Sequence, residues 1–186
     1  MNMFFTTQRL CLKILSAHEA NEVWQFYQEN RAHIEPWEGK KEPNFYTPGY
    51  QQALLEAEYN QIIRGTMFRI YIFLKEHPER VVGSVGVSNI RRGPFQTGSI
   101  GYKVHKQYCN QGIAREAISK VVEIMFQEWG LHRIEAMVHP ENSPSIALLK
   151  ALNFQEEGMM KEAAMLCGNW EDMCRFALVN TQEGSV

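Results

Sequence analysis

At Met67 the hydrophobic period of this 186-residue chain drops from helical to two, and at Gly112 it turns helical again. In the stretch after Met67, Phe68, Ile70, Ile72 and Leu74 face one way and Arg69, Tyr71 and Phe73 the other, which is the alternation of a strand. Turn residues at His77-Pro78 and Arg92-Gly93-Pro94 cut the region into three strands, roughly 67–75, 80–90 and 97–105. Connections this short imply an antiparallel meander. From Gly112 onward Ala114, Ala117, Ile118, Val121, Val122 and Met125 recur at three- and four-residue steps, so an amphipathic helix follows and ends near Gly130.

The flanking segments complete the pattern. Residues 9–15 alternate Leu10, Leu12 and Ile14 with Cys11 and Lys13, as a first strand would. Ser16 and Glu19 form the S-x-x-E capping box of a helix whose apolar stripe is Ala20, Val23, Trp24 and Tyr27. An irregular stretch is expected over 34–46, rich in Pro, Gly, Lys and Glu. Thr47-Pro48 then opens a second helix that runs to about Arg64 and stops at Gly65. After the long helix come a strand over 133–138, a short helix from Ser143-Pro144 to Leu152, and a closing hairpin turning at Gly168-Asn169. The order β-αα-βββ-α-β-α-ββ describes an α/β fold, a mixed and largely antiparallel sheet flanked by helices, as one domain over residues 1–186.

Composition narrows the function classes. A net charge of −2 gives no drive toward a polyanion, so no direct nucleic-acid partner is expected. Cys11, Cys109, Cys167 and Cys174 contain no C-x-x-C pair, which points to free thiols and no metal. Apolar runs such as 70–74 are far shorter than the roughly 20 residues of a membrane-spanning helix. The opening MNMFFTTQRL lacks the basic start and apolar run of a secretory signal. The expectation is a cytoplasmic protein, monomer or homodimer, with no membrane partner.

The segment from Val104 to Ala114, VHKQYCNQGIA, lies between a strand and the long helix. A turn feeding a helix N-terminus exposes unpaired N–H groups at the positive end of the helix dipole and attracts phosphate. Gly112 lets backbone approach closely, and Ala114 keeps the first turn open. Taken alone, this is also what a plain strand-to-helix connection looks like.

The segment resembles the coenzyme A signature V-x-x-x-x-[QR]-x-x-G-x-[GA] of GNAT-superfamily acetyltransferases. It departs from that pattern at Cys109, where Gln or Arg is usual, and at Asn110-Gln111, which replace a more common Gly and basic residue. Downstream, Asn142, Ser145, Leu148, Leu149, Asn153 and Phe154 are similar to the family's N-x-x-S-x-x-L-L-x-x-x-G-F, with Asn153 in the place of a helix-ending glycine. The stretches 30–37, 88–95 and 157–178 are similar to ribosomal-protein N-terminal alanine acetyltransferases within the superfamily.

The resemblance implies acetyl-CoA as co-substrate, held by Val104, Cys109, Asn110, Gln111, Gly112, Ile113, Ala114, Arg115 and Asn142, with Lys106 as a further cation. It implies transfer to a primary amine, and as partner a protein N-terminus, of a ribosomal protein in those relatives. Backbone near Val104 would polarise the thioester oxygen, and Ser145 would donate a hydrogen bond to the departing thiolate. Ser99 stands where many members carry a glutamate, so the base is sought at Glu135 first and Glu162 second, beside a water relay. Glu35, Glu38, Glu42, Glu162 and Glu171 are expected to border the acceptor groove and attract a basic peptide. Competing readings are a polyamine or antibiotic acetyltransferase and a non-catalytic CoA-binding sensor.

Overall fold

The computed structural model describes residues 2–39 and 41–181. Its strands are β1 Phe4–Thr6, β2 Leu10–Lys13, β3 Phe68–Leu74, β4 His77–Arg91, β5 Thr97–Val104, β6 Arg133–Val138, β7 Gln155–Leu166 and β8 Asn169–Val179. Its α-helices are α1 Ala20–Glu38, α2 Pro48–Ile63, α3 Ile113–Gln127 and α4 Ser143–Ala151. The strands form one sheet in the order β1-β2-β3-β4-β5-β6-β8-β7. Every neighbouring pair is antiparallel except β5 with β6. The mixed α/β class read from the period is therefore present.

Both expected helix starts have the chemistry that the sequence implies. Ser16 and Glu19 make a reciprocal capping box ahead of α1, and the Thr47 hydroxyl accepts the Tyr50 N–H ahead of α2. Losing such a cap costs about 1 kcal/mol. The helices then cover the two faces of the sheet. Ile118, Val121 and Met125 of α3 pack with Ile70, Ile72 and Val85 on one face. Val23, Phe26 and Leu55 of α1 and α2 pack with Tyr71 and Phe73 on the other. Strand β3 is thus buried on both sides, each such side chain contributing about 1.5–3 kcal/mol.

Three details differ from expectation. A three-residue strand, β1, precedes the expected first strand and pairs with it through Phe5↔Leu12. Helix α1 continues through 34–38, where an irregular stretch was expected. Pro36 falls in its last turn, buried Ile34 anchors that turn to the core, and Gly39 at φ 76 ends it. The closing hairpin turns one residue earlier than expected, at Cys167 (φ 50) and Gly168 (φ 93), with Leu166 opposite Asn169.

One irregularity positions the site. The parallel register of β5 and β6 runs Thr97↔Arg133, Gly98↔Ile134 and Ser99↔Glu135, and then stops. Beyond Ser99 and Glu135 the strands part.

Candidate active site

The parting strands open a cleft of about 650 Å³. One wall is the end of β5 with the start of α3, the opposite wall is Ala136–His139 with the first turn of α4, and the last turns of α1 stand at the mouth. On the β5 wall, the His105 N–H donates to the Val82 carbonyl at 2.8 Å, and Gly83 pairs with Val104. Hydrogen-bonded and non-hydrogen-bonded pairs alternate along an antiparallel ladder, so the N–H groups of Val104 and Tyr102 face away from β4, toward the gap.

At the end of that wall the chain presents the open N-terminus of α3. Asn110 (φ 59) and Gly112 (φ 78) take left-handed conformations, and Gly112 is the N-cap residue of α3. The helix leaves the N–H groups of Ile113, Ala114 and Arg115 without internal partners. Gly112, Ile113, Ala114 and Arg115 all line the cleft, as do Val104, Cys109 and Asn110. Gln111 does not. Its side chain turns back to the Gln107 carbonyl at 2.8 Å. Burial pushes the Cys109 thiol up, so it stays protonated, with Sγ 3.5 Å from His33 Nε2. Lys106 is outside the lining, and its N–H donates to the buried Asn30 Oδ1 at 2.9 Å, fastening the loop to α1.

The opposite wall joins two further expected residues to one the sequence did not reveal. Asn142 caps α4 by accepting the Ser145 N–H at 3.2 Å. The Ser145 hydroxyl lies 2.7 Å from the Tyr102 hydroxyl of β5. Burial pushes the Tyr102 phenol above its ordinary value, against the pull of Ser145, so it keeps its proton. At the far end of α4, Asn153 adopts φ 63 and the Phe154 N–H donates to the Leu149 carbonyl, the left-handed stop foreseen in place of glycine.

At the mouth, the Trp37 and His139 rings meet at a tilt of 52° with centroids 6.0 Å apart. Glu38 is the one carboxylate among the described residues that line the cleft. It binds Lys103 at 2.5 Å and Lys41 at 3.3 Å; burial pushes its carboxyl up, but the two lysines outweigh this and hold it low. Glu35 and Glu171, also expected at the groove, do not line the cleft and are engaged elsewhere. Glu35 holds Arg31 and the Tyr46 hydroxyl, and Glu171 lies 3.7 Å from His139. Glu42 and Glu162 are exposed and outside the cleft lining.

Glu135, expected as the base, is not in this cleft. It lines a neighbouring hollow of about 230 Å³ with Arg175, Asn89 and Arg91. Its Oε1 accepts from Arg133 at 2.8 Å and from Arg175 at 2.7 Å. Partial burial pushes its carboxyl up, and the two guanidiniums outweigh that and hold it below the usual carboxylate range. A carboxylate so satisfied is a weak proton acceptor. Arg133, two residues away on the same strand face, is the sequence signal that could have revealed this.

A left-handed glycine before a helix N-terminus, outward amides on a free strand edge and an open cleft fit a ligand with a pyrophosphate and a long amide-bearing arm. Residues 9–155 match the acetyltransferase (GNAT) domain family. The chain belongs to the GNAT acetyltransferases and is an acetyl-CoA-dependent N-acetyltransferase. It is 30% identical over 175 residues to the [ribosomal protein uS5]-alanine N-acetyltransferase of Escherichia coli (strain K12), covering 93% of this chain and 89% of that protein. The crystal structure of the ribosomal-protein-S5-alanine acetyltransferase from Vibrio fischeri superposes with a TM-score of 0.91 at 30% identity, over 99% of this chain and 100% of that one. Mycobacterium smegmatis RimJ in complex with CoA-disulfide gives 0.87 at 26% identity, over 95% and 84%.

Proposed function

We propose that this N-acetyltransferase acts on the N-terminal α-amine of a protein, a ribosomal protein being the class its relatives' names indicate. The observation that carries the reading is the state of Glu38. The one carboxylate of the described lining is held by two lysines and is not free to take a proton. A lysine side chain, with a pKa near 10.4, would need such a base, whereas an α-amine near 7.7–8.0 is already about a tenth neutral at pH 7. The acceptor's proton then leaves to water through the mouth of the cleft.

Acetyl-CoA, when bound, supplies the thioester carbonyl that the amine attacks and the thiolate that leaves. The N–H groups of Ile113, Ala114 and Arg115 would hold its pyrophosphate. The Val104 and Tyr102 N–H groups would hold its arm and polarise the carbonyl oxygen. Tyr102 donating to Ser145 Oγ leaves the Ser145 O–H to face the leaving sulfur, and a thiol near pKa 8.5 needs no stronger acid. Trp37, His139 and His33 would border the acceptor.

The test offers an Ala-starting basic peptide, the same peptide with its α-amine blocked and its lysines free, and spermidine. Acetylation confined to the free α-amine is expected. Equal rates on the blocked peptide or on spermidine would overturn the α-amine assignment.

A further inference from the structure

The loop ahead of α3 contains Cys109, Asn110 and Gln111 where a cation would reinforce phosphate binding, so its amides must be well aimed. A side chain from the far edge of the sheet aims one of them. Arg9, immediately before β2, donates from Nη1 to the Gln111 carbonyl at 2.9 Å and from Nε to Glu116 Oε2 at 2.7 Å. Glu116 lies in the first turn of α3, and its Oε1 also accepts the Thr7 hydroxyl at 2.5 Å and the Arg9 N–H at 2.8 Å. Three donors thus fix the carboxylate, and the carboxylate fixes the guanidinium.

The consequence runs through one peptide plane. The Gln111–Gly112 bond is trans, and in a trans peptide the carbonyl and the following N–H point in opposite directions. Arg9 holds the Gln111 carbonyl, so the Gly112 N–H is turned away from Arg9. Gly112 lines the cleft, and a Cβ on it would stand 3.2 Å from Arg9 Nη2, so the guanidinium packs directly against this residue. Because Glu116 neutralises Arg9, the pair contributes orientation rather than net charge.

We propose that Arg9 and Glu116 are positioning residues for the co-substrate's pyrophosphate, holding the Gly112 N–H in line with those of Ile113 and Ala114. The proposal rests on acetyl-CoA being the co-substrate. The role is specific to the nucleotide end of the ligand. S-acetyl-pantetheine, which has the thioester arm but no pyrophosphate, does not use it.

The test measures CoA affinity by calorimetry and kcat/KM with acetyl-CoA and with S-acetyl-pantetheine, for Arg9→Ala and Glu116→Gln. Each substitution should weaken CoA about tenfold or more, the scale of a charge-assisted hydrogen bond, while efficiency with S-acetyl-pantetheine falls less than about twofold. Unchanged CoA affinity overturns the proposal. So does tighter CoA binding in Glu116→Gln, which would mean that Arg9 acts as a free charge. Equal losses with both thioesters overturn it too, since general damage to the cleft would be the cause. Should Arg9→Ala not fold, Glu116→Gln reads the same coupling. If the unaltered protein binds no CoA, the co-substrate reading fails and the positioning falls with it, whereas unchanged affinity in the variants alone overturns only the positioning.

Discussion

The Tyr102 and Ser145 hydroxyls lie 2.7 Å apart, tying the free end of β5 to the first turn of α4 across the cleft. If they act as one relay to the leaving sulfur, removing either breaks it. Ser145→Ala and Tyr102→Phe should each lower kcat by roughly 10- to 100-fold with little change in KM for acetyl-CoA. The double variant should be no worse than either single one. Losses that multiply in a double-mutant cycle would show two independent roles.

Gly112 is constrained twice, by φ 78 and by Arg9 behind it. A side chain there costs roughly 1–2 kcal/mol in backbone strain and displaces the guanidinium. Gly112→Ala should lower the melting temperature by several degrees and raise the CoA dissociation constant. A bulkier Gly112→Trp cannot leave the fold untouched. Thermal melts and calorimetry on Gly112→Ala check both effects, and an unchanged dissociation constant would remove Gly112 from the anion site.

The pH dependence of kcat/KM for an Ala-starting peptide should follow the acceptor rather than the enzyme. It should rise with unit slope in acid and level off near pH 8, where an α-amine becomes neutral. Glu135→Gln should leave the midpoint in place and change the rate less than about threefold, since Arg133 and Arg175 already occupy that carboxylate. A midpoint near 6 that disappears in this variant would restore Glu135 as the base.

Buried His105 predicts a pH dependence of stability at the start of the loop ahead of α3. Its Nδ1 accepts the Gln107 N–H at 3.2 Å, so the neutral ring carries its proton on Nε2, facing Glu29 Oε2 at 3.0 Å. Burial lowers its pKa, with Arg80 adding to the effect and Glu29 opposing it. The unfolded chain therefore takes up the proton first. The contribution is complete above the ordinary histidine value near 6.5 and is lost as pH falls from there to the folded value. Urea midpoints should drop between pH 7.5 and 5.5, and less so in His105→Gln. A flat profile would refute the assignment.

What the sequence discloses of this fold depends on element length. Strand β3 and helix α3 are long enough to declare a period, whereas Phe4–Thr6 is not, and β1 becomes visible only through its partner β2. The proline at 36 reads as a helix breaker, and it does lose the bond to the Ala32 carbonyl and crowd it, but it lies two residues from the end of α1, where buried Ile34 holds the turn to the core. At the site, residues fixed by local conformation are legible: Gly112, Asn142 and Asn153 each do what their type does best. Tyr102 is not, because its partner is 43 residues away and meets it only across the divided strands. The groove glutamates are a similar case. Glu38 looks like a steering charge until Lys103, on another element, is seen to neutralise it.

Where β5 and β6 separate, the sheet gives up part of its own ladder. The amides released there are common to every residue type except proline, so the recognition proposed for them would be written in strand direction and not in side-chain identity. Such a grip survives sequence drift. It would let Cys109 stand where a larger polar residue is usual, and would leave the wall formed by Trp37, His33 and His139, proposed to border the acceptor, free to change. Two chains that share fewer than a third of their residues can therefore keep the same donor and differ in the amine they receive.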